Sequence, residues 1–178
     1  MKFLSKLIVL AVSLLMLTLF LGWYAETKRI EKSVDKLGEI SQDAPPSIKI
    51  YYYIVKYSKK YEVPIDIAFG VANHETGYRG PFDWTYNPRL TSSANAYGAM
   101  QIQVPTANSF SDYKVTKNDL LNDLELNVVL SMRILSYLKN KYKSWELALG
   151  AYNTGRPVVN NYATSIVNFN SQSEFNYD

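Results

Sequence analysis

The most constraining feature of the sequence is a run of apolar positions with helical spacing between residues 119 and 142. Apolar or small side chains recur three or four positions apart throughout this run, at Leu121, Leu124, Val128, Ser131, Leu135, Leu138 and Tyr142. This spacing places them on one face of an α-helix, and that face has to be buried against other elements. The run therefore predicts the longest helix of the chain and favours a mainly α-helical fold.

Four further helices are predicted from Ser47 onward, over residues 48–61, 65–76, 145–153 and 157–168. Pro64 suits the start of the second of these helices, because proline is tolerated where the backbone N–H has no helical partner. Ser144 can cap the third helix, which ends near Gly155.

Between these helices, residues 77–97 are rich in Gly, Pro, Asn and Ser. This composition is typical of a loop. Residues 99–104 then predict a short strand, after which Pro105 opens a small helix.

The beginning of the chain has a different character. Residues 7–24 carry no charge, and the run is long enough to cross a membrane as a helix. Lysines precede it, and Trp23 and Tyr24 close it like an interfacial aromatic belt. A cleaved signal peptide is the alternative, but aromatic residues stand where cleavage requires small ones. We expect a retained membrane anchor within residues 1–25, with a signal segment as the alternative.

The domain organisation follows from two changes in composition. Residues 26–46 have mixed charge and end in Pro45 and Pro46, which disfavour a continuing helix. They are predicted to form a stalk or linker. A compact domain is expected over residues 47–169, and the polar residues 170–178 are predicted to form a loose tail.

The composition excludes several classes of function. The net charge is +3 and part of it precedes the apolar run, so no nucleic-acid partner is expected. The chain has no cysteine, which excludes a disulfide framework and a cysteine-ligated metal. A glycine-rich phosphate loop and a cluster of metal ligands are also absent from the sequence, so neither a cofactor nor a metal is predicted. The 15 tyrosines have amphipathic rings that suit the faces of sugars.

Glu75 is the strongest candidate for a catalytic residue. It continues the apolar stripe of the predicted helix 65–76, in which Ala68 and Ala72 precede it at helical spacing. Burial raises the pKa of a carboxyl, and a general acid needs a raised pKa near neutral pH. The alternative is a helix-terminal glutamate that emerges into solvent. His74 lies about 100° round the helix from Glu75 and is expected to pack or cap elsewhere.

Two further motifs follow Glu75-Thr76 in order. Residues 98–102 read Gly-Ala-Met-Gln-Ile, and residues 151–155 read Ala-Tyr-Asn-Thr-Gly. This order resembles the SLT-type lytic transglycosylases, peptidoglycan-cleaving enzymes of the lysozyme superfamily that also includes goose-type lysozyme. Their motifs are a Glu-Ser pair, a Gly-Leu-Met-Gln run and an Ala-Tyr-Asn-Ala-Gly run. The resemblance covers about residues 48–167.

The resemblance implies a lysozyme-like fold, mainly α with a short β element, and Glu75 as the catalytic acid. It also implies a set of substrate-binding residues, namely Ser92, Gln101, Gln103, Tyr152, Asn153 and Tyr162. Gln103 stands where many relatives have Met. Tyr162 matches the tyrosine of the closing motif, although it follows Gly155 more closely than in most relatives.

The implied reaction is cleavage of the MurNAc-GlcNAc β-1,4 bond of peptidoglycan glycan strands, with formation of 1,6-anhydroMurNAc. A hydrolase with the same glutamate is the first alternative. It needs a second carboxylate, for which Asp83 is the nearby candidate in sequence. A binding module without activity is the second alternative. Asp83 belongs to an insertion relative to compact family members, around residues 78–85, which forms either a rim that touches substrate or a passive surface loop.

The anchor and the substrate together imply a location. We expect a single-pass membrane protein, held by residues 7–24, with the catalytic domain on the extracytoplasmic, cell-wall side. If a phage encodes the chain, the membrane is that of the virion. Assembly with a secretion or virion complex is compatible with either origin.

Overall fold

The computed structural model describes Thr18 and residues 40–175. The chain divides into two units, Met1–Glu39 and Ile40–Asp178. Apart from Thr18, the predicted membrane segment 7–24 lies outside the described residues, as does most of the predicted stalk. Within the described residues, no helix combines the length and apolarity needed to cross a bilayer.

The described part of the second unit is mainly helical, with one small antiparallel sheet. In chain order its helices are α1 (Pro46–Lys60), α2 (Ile65–Thr76), α3 (Val104–Phe110), α4 (Lys117–Asn122), α5 (Leu124–Tyr142), α6 (Trp145–Thr154), α7 (Asn161–Val167) and α8 (Ser171–Glu174). The strands are β1 (Ala96–Tyr97) and β2 (Ile102–Gln103). The predicted class, mainly α with a short β element, is confirmed. Helix α2 coincides with its predicted range, and α1 and α6 differ from theirs by one or two residues.

Helix α5 lies at the centre of this unit and packs against α1, α3, α4 and α6. Its predicted buried face is confirmed in the middle of the helix, where Val128, Ser131 and Leu135 are all fully buried. Towards the ends of the run the predicted residues are half-buried, namely Leu121, Leu124, Leu138 and Tyr142. Helix α2 packs against α1, α7 and α8 on another side of the core. The long amphipathic helix is therefore the element on which the others assemble.

The prediction of one continuous helix over residues 119–142 is wrong, because the helix is interrupted at Asp123. Asp123 leaves the helical conformation, and its side chain accepts a hydrogen bond of 2.8 Å from the Leu126 N–H. A carboxylate in this position satisfies a backbone donor that the start of a helix leaves without a partner. Capping by Asp123 therefore divides the apolar run into α4 and α5.

The predicted strand 99–104 is also corrected. Only Ile102 and Gln103 are extended, paired with Tyr97 and Ala96, and the preceding residues form the turn that joins β1 to β2. Gly98 adopts φ +82°, and a Cβ atom there would lie 2.3 Å from both Asn127 Nδ2 and the Leu120 carbonyl oxygen. The turn therefore requires glycine on both conformational and steric grounds.

Helix α7 begins at Asn161 rather than at residue 157. The side chain of Asn160 accepts a 2.9 Å hydrogen bond from the Ala163 N–H and caps the helix. Before this cap the chain passes close to α6, where a Cβ atom on Gly150 would lie 1.7 Å from the Val158 carbonyl oxygen. The close crossing keeps these residues out of the helix.

The residues predicted as a loose tail are ordered against the core as far as Phe175. Ser171 binds the Asp66 carboxylate through its hydroxyl (2.6 Å) and its N–H (3.0 Å). The ring of Phe175 is 2% exposed and packs on Phe69 and Tyr78, with centroid distances of 5.1 and 5.4 Å. These contacts connect the C-terminal segment to α2.

The loop that contains the insertion folds back on the beginning of α1. Tyr78 is fully buried, and its hydroxyl donates to the Ser47 carbonyl oxygen at 3.0 Å. The Ser47 hydroxyl donates in turn to the Pro81 carbonyl oxygen at 3.0 Å. Beyond this attachment, Phe82 and Trp84 are exposed at the surface.

Candidate active site

Glu75 lies in the last turn of α2, which ends where Gly77 adopts a left-handed conformation. Its side chain is half-buried, and the Tyr162 hydroxyl donates a 2.6 Å hydrogen bond to Oε1. Burial raises the pKa of Glu75, and this effect outweighs the Tyr162 hydrogen bond, which lowers it. The carboxyl can therefore hold a proton at a higher pH than an exposed glutamate.

Tyr162 supports this carboxyl from α7. Burial and the neighbouring charge of Glu75 raise the pKa of Tyr162 well above its usual value, so the phenol stays protonated and donates. The ring of His74 packs edge-on against the Tyr162 ring with a centroid distance of 5.4 Å. His74 is exposed, and its ring contacts the tyrosine that donates to Glu75, so it packs beside the site rather than elsewhere.

Thr76 connects the end of α2 to the turn between the strands. Its hydroxyl lies 2.9 Å from the Ala99 carbonyl oxygen, 3.1 Å from the Ala72 carbonyl oxygen and 3.0 Å from the Tyr86 hydroxyl. Since Thr76 has one hydroxyl hydrogen and a carbonyl can only accept, Tyr86 can donate to Thr76 while Thr76 donates to a backbone carbonyl. This arrangement fixes the residue next to Glu75 relative to the motif at 98–102.

Within that motif, Gln101 uses both of its amide hydrogens on the backbone. Its Nε2 atom donates to the Gly98 carbonyl oxygen at 2.8 Å and to the Leu90 carbonyl oxygen at 3.1 Å. Only Oε1 remains, as an acceptor, for a ligand in the cleft. Gln101 thus both stabilises the turn and lines the site.

Two other predicted residues lie on the same wall. The Ser92 hydroxyl accepts a 3.2 Å hydrogen bond from the Ala96 N–H, which leaves its own hydrogen free to donate. The Gln103 Nε2 atom donates to the Ala94 carbonyl oxygen at 2.9 Å. Both side chains line the cleft.

Tyr152 lies across from this wall on α6 and has its hydroxyl in a defined direction. It donates to the Met100 carbonyl oxygen at 2.7 Å and lies 3.0 Å from the Ser131 hydroxyl. Because its single hydrogen goes to the carbonyl, Ser131 must donate to Tyr152. Burial, and then the charge of Glu75, raise the pKa of Tyr152. The Tyr152 hydroxyl hydrogen is therefore already used in the bond to Met100, and it is not available to a ligand near Glu75.

Asn127 lies on α5 one turn before Ser131 and binds the backbone of Met100 on its N–H side. Its Oδ1 atom accepts from the Met100 N–H at 2.8 Å, and its Nδ2 atom donates to the Tyr97 and Leu120 carbonyl oxygens at 2.9 and 3.1 Å. Asn127 and Ser131 are both fully buried. Together they fix the turn 98–101 against the central helix.

The remaining residue of the third motif is Asn153, which is exposed and lines the cleft. Its Oδ1 atom accepts a 3.2 Å hydrogen bond from Asn160 Nδ2. Asn153 therefore joins the end of α6 to the cap of α7 and still presents an amide to the cleft.

These elements enclose a cleft of about 580 Å³. Among the described residues that line it, Glu75 is the only carboxylate and Lys141 the only cation. Tyr162 is not among them, and its hydroxyl donates to Glu75. Its contact with substrate stays a prediction. Asp83 is not among them either, and its Oδ1 atom accepts from the N–H and hydroxyl of Thr85 at 3.1 and 2.7 Å.

Three residues that support the site were not predicted to do so from the sequence, namely Asn127, Ser131 and Tyr86. A signal existed for Ser131, because it is a polar residue on the apolar face of a long helix. Asn127 and Tyr86 gave no comparable signal. In the described part of the chain, no three histidine, cysteine or acidic residues come close enough together to hold a metal ion.

The fold is similar to that of the 70-kDa soluble lytic transglycosylase. Two structures of the 70-kDa soluble lytic transglycosylase, one of the Escherichia coli enzyme and one in complex with bulgecin A, each match with a TM-score of 0.50 and 22% sequence identity. Each match covers 65% of this chain and 18% of that enzyme. An inactive mutant of lytic transglycosylase Slt from Pseudomonas aeruginosa matches with a TM-score of 0.47 and 16% identity, over 70% of this chain and 22% of that one.

Residues 52–174 match the family defined by the transglycosylase SLT domain, which is well over half of the chain. The protein belongs to this family. No curated protein sequence matches the chain.

Proposed function

We propose that this protein is a peptidoglycan lytic transglycosylase. It cleaves the MurNAc-GlcNAc β-1,4 bond and leaves a 1,6-anhydroMurNAc end, with Glu75 acting first as acid and then as base. The observation that carries the proposal is a cleft in which, among the described residues, Glu75 is the only carboxylate. Family membership supports the same reaction.

In the first step Glu75 gives its proton to the glycosidic oxygen, and the bond between this oxygen and C1 of MurNAc breaks. Burial favours the protonated carboxyl before this step. The Tyr162 hydrogen bond favours the carboxylate that the step produces. Because Tyr162 occupies Oε1, Oε2 is the oxygen available for proton transfer.

In the second step the Glu75 carboxylate takes the proton of the C6 hydroxyl of MurNAc, and the C6 oxygen forms a bond to C1. The attacking group belongs to the substrate, so it acts at high effective molarity. No water is consumed and no second carboxylate is required. Hydrolysis in the usual manner of glycosidases requires a second carboxylate. The nearby candidate in sequence, Asp83, accepts two hydrogen bonds from Thr85 in a turn.

Polar groups on both walls of the cleft are suited to the saccharide. Ser92 can donate a hydrogen bond, Gln101 Oε1 can accept one, and Gln103 and Asn153 present amides. Tyr152 supports the site through Met100 instead of donating to the sugar, since its hydrogen is already used.

A digest of purified peptidoglycan by the full-length protein in detergent tests the proposal. We expect muropeptides that end in 1,6-anhydroMurNAc, each lighter by one water than the hydrolysis product in mass spectrometry. Reducing MurNAc ends would mean that the protein is a hydrolase. The matched control is Glu75→Gln, which keeps the shape but cannot donate the proton. We expect it to release fragments at least about a hundredfold more slowly while still binding peptidoglycan.

We also propose that residues 7–24 hold the protein in a membrane with the domain on the cell-wall side. The support is the uncharged sequence and the location of peptidoglycan outside the cytoplasm. Mass analysis of the mature N-terminus tests this, because a chain that begins near residues 23–26 would mean that the segment is a cleaved signal.

A further inference from the structure

The cleft extends along α5 well beyond the residues around Glu75. Ser131 marks the catalytic end, because it bonds to Tyr152 at 3.0 Å. Lys141 lines the same cleft ten residues later on the same helix. At a rise of 1.5 Å per residue, the two backbone positions are about 15 Å apart along the axis. A glycan strand that lay along α5 would meet Lys141 at a different sugar from the one that is cleaved.

Aromatic rings surround this remote end of the cleft. The Lys141 Nζ atom lies 5.7 Å from the centre of the Tyr137 ring and 5.2 Å from that of Tyr142. Phe110 of α3 supports Tyr137 edge-on, with a centroid distance of 5.3 Å. Tyr137 is nevertheless 49% exposed, so its ring presents an apolar surface to whatever occupies the cleft.

The charge at this end is not compensated within the cleft. Lys141 is the only cation and Glu75 the only anion among the described residues that line it. Elsewhere on the domain, Lys56 pairs with Glu125 at 3.1 Å. The aromatic neighbours of Lys141 hold its ammonium group near the cleft without neutralising it.

We propose that Tyr137 and Lys141 form a second binding site, for a MurNAc unit remote from the scissile bond. The Tyr137 ring takes the apolar face of the sugar, and Lys141 pairs with a carboxylate that this unit carries. This inference rests on the proposed function, because peptidoglycan is the glycan that supplies such carboxylates. They occur on the peptide stem and, where the stem has been removed, on the lactyl group.

Binding measurements on the Glu75→Gln background test the site without cleavage. Three probes separate the contributions, namely intact peptidoglycan strands, strands whose stems an amidase has removed, and neutral chitin oligosaccharides. Adding Lys141→Gln should weaken binding to intact strands by about threefold to fivefold, as expected for an exposed ion pair. Binding to chitin should not change, and the difference should shrink at high salt.

The two anionic probes identify the source of the carboxylate. A loss on intact strands alone assigns it to the peptide stem, and a loss on stripped strands assigns it to the lactyl group. Lys141→Arg should retain the binding. Tyr137→Ala should weaken binding to all three probes, because the sugar face is common to them.

The matched control for charge is Lys114→Gln, an exposed lysine that does not line the cleft. Equal effects of Lys114→Gln and Lys141→Gln would overturn the site, as would an equal loss on chitin or no loss on any probe. The proposed function fails in a different experiment. It would be wrong if the wild-type protein, which retains Glu75, bound peptidoglycan but did not cleave it.

Discussion

The Tyr162 hydroxyl donates a 2.6 Å hydrogen bond to Oε1 of Glu75. This contact joins α7 to the end of α2, and it lowers the pKa of a carboxyl that burial raises. The two effects oppose each other, so the protonation of Glu75 depends on whether Tyr162 is present.

Tyr162→Phe should therefore raise the pKa of Glu75 further. Because the first step requires the protonated carboxyl, the fall in activity at high pH should move to higher pH. Maximal activity should decrease about tenfold, since the carboxylate formed in that step loses a charge-assisted hydrogen bond. A pH–rate profile of peptidoglycan solubilisation measures both effects. Tyr113→Phe, at an exposed position, is the control, and an unshifted profile in Tyr162→Phe would contradict the role of this bond.

Ser131→Ala should remove the hydrogen bond that fixes the Tyr152 hydroxyl. We expect a loss of about 1 kcal/mol in the free energy of unfolding and a decrease in kcat of roughly fivefold. If Ser131 acts only through Tyr152, it should have little further effect in a Tyr152→Phe background. Denaturant unfolding and steady-state kinetics of the wild type, the two single variants and the double variant give the coupling energy between Ser131 and Tyr152. Ser109→Ala, which removes an exposed hydroxyl on α3, is the control, and fully additive effects would separate Ser131 from Tyr152.

Gly98→Ala should destabilise the protein far more than Gly77→Ala. Both glycines have positive φ, but only at Gly98 would a Cβ atom meet neighbours, the Asn127 amide and the Leu120 carbonyl at 2.3 Å. We expect a loss of about 3 kcal/mol or more for Gly98→Ala and about 1 kcal/mol for Gly77→Ala. Urea unfolding compares the two, and similar losses would show that the turn can move away from α5.

Asp83→Asn should leave both activity and product unchanged. An asparagine Oδ1 atom can still accept the two hydrogen bonds that Thr85 donates to Asp83, so the turn should persist. Mass spectrometry of the digest and its initial rate provide the measurement. A crippled variant together with reducing ends in the wild-type digest would assign Asp83 the role of the second carboxylate in a hydrolase.

The parts of the fold that could be predicted are those that local sequence determines. Helix α2, the buried face of α5 and the cap at Ser144 follow from periodicity and capping within a few residues. The interruption at Asp123 was missed, because a single capping carboxylate overrides an apolar pattern that continues on both sides. The packing of Phe175 was missed because its partners lie far away in the chain.

The same distinction applies to the site. The position of Glu75 on an apolar stripe is a local property and was available from the sequence. Its hydrogen bond to Tyr162 spans 87 residues, so periodicity could not reveal it. The resemblance implied a contact between Tyr162 and substrate, which stays a prediction. The direction of the Tyr152 hydroxyl depends on Ser131 and Met100 together. Only the folded structure brings these three residues into contact.

Helix α5 carries both Ser131, behind the catalytic end of the cleft, and Lys141, at the remote end. Their separation is set by an uninterrupted helix and not by a loop. Inserting or deleting one residue between them would turn Lys141 by about 100° around the axis and out of the cleft. Relatives that vary the reach of this cleft should therefore gain or lose whole helical turns in α5, while single-residue length changes should be confined to loops such as residues 77–95.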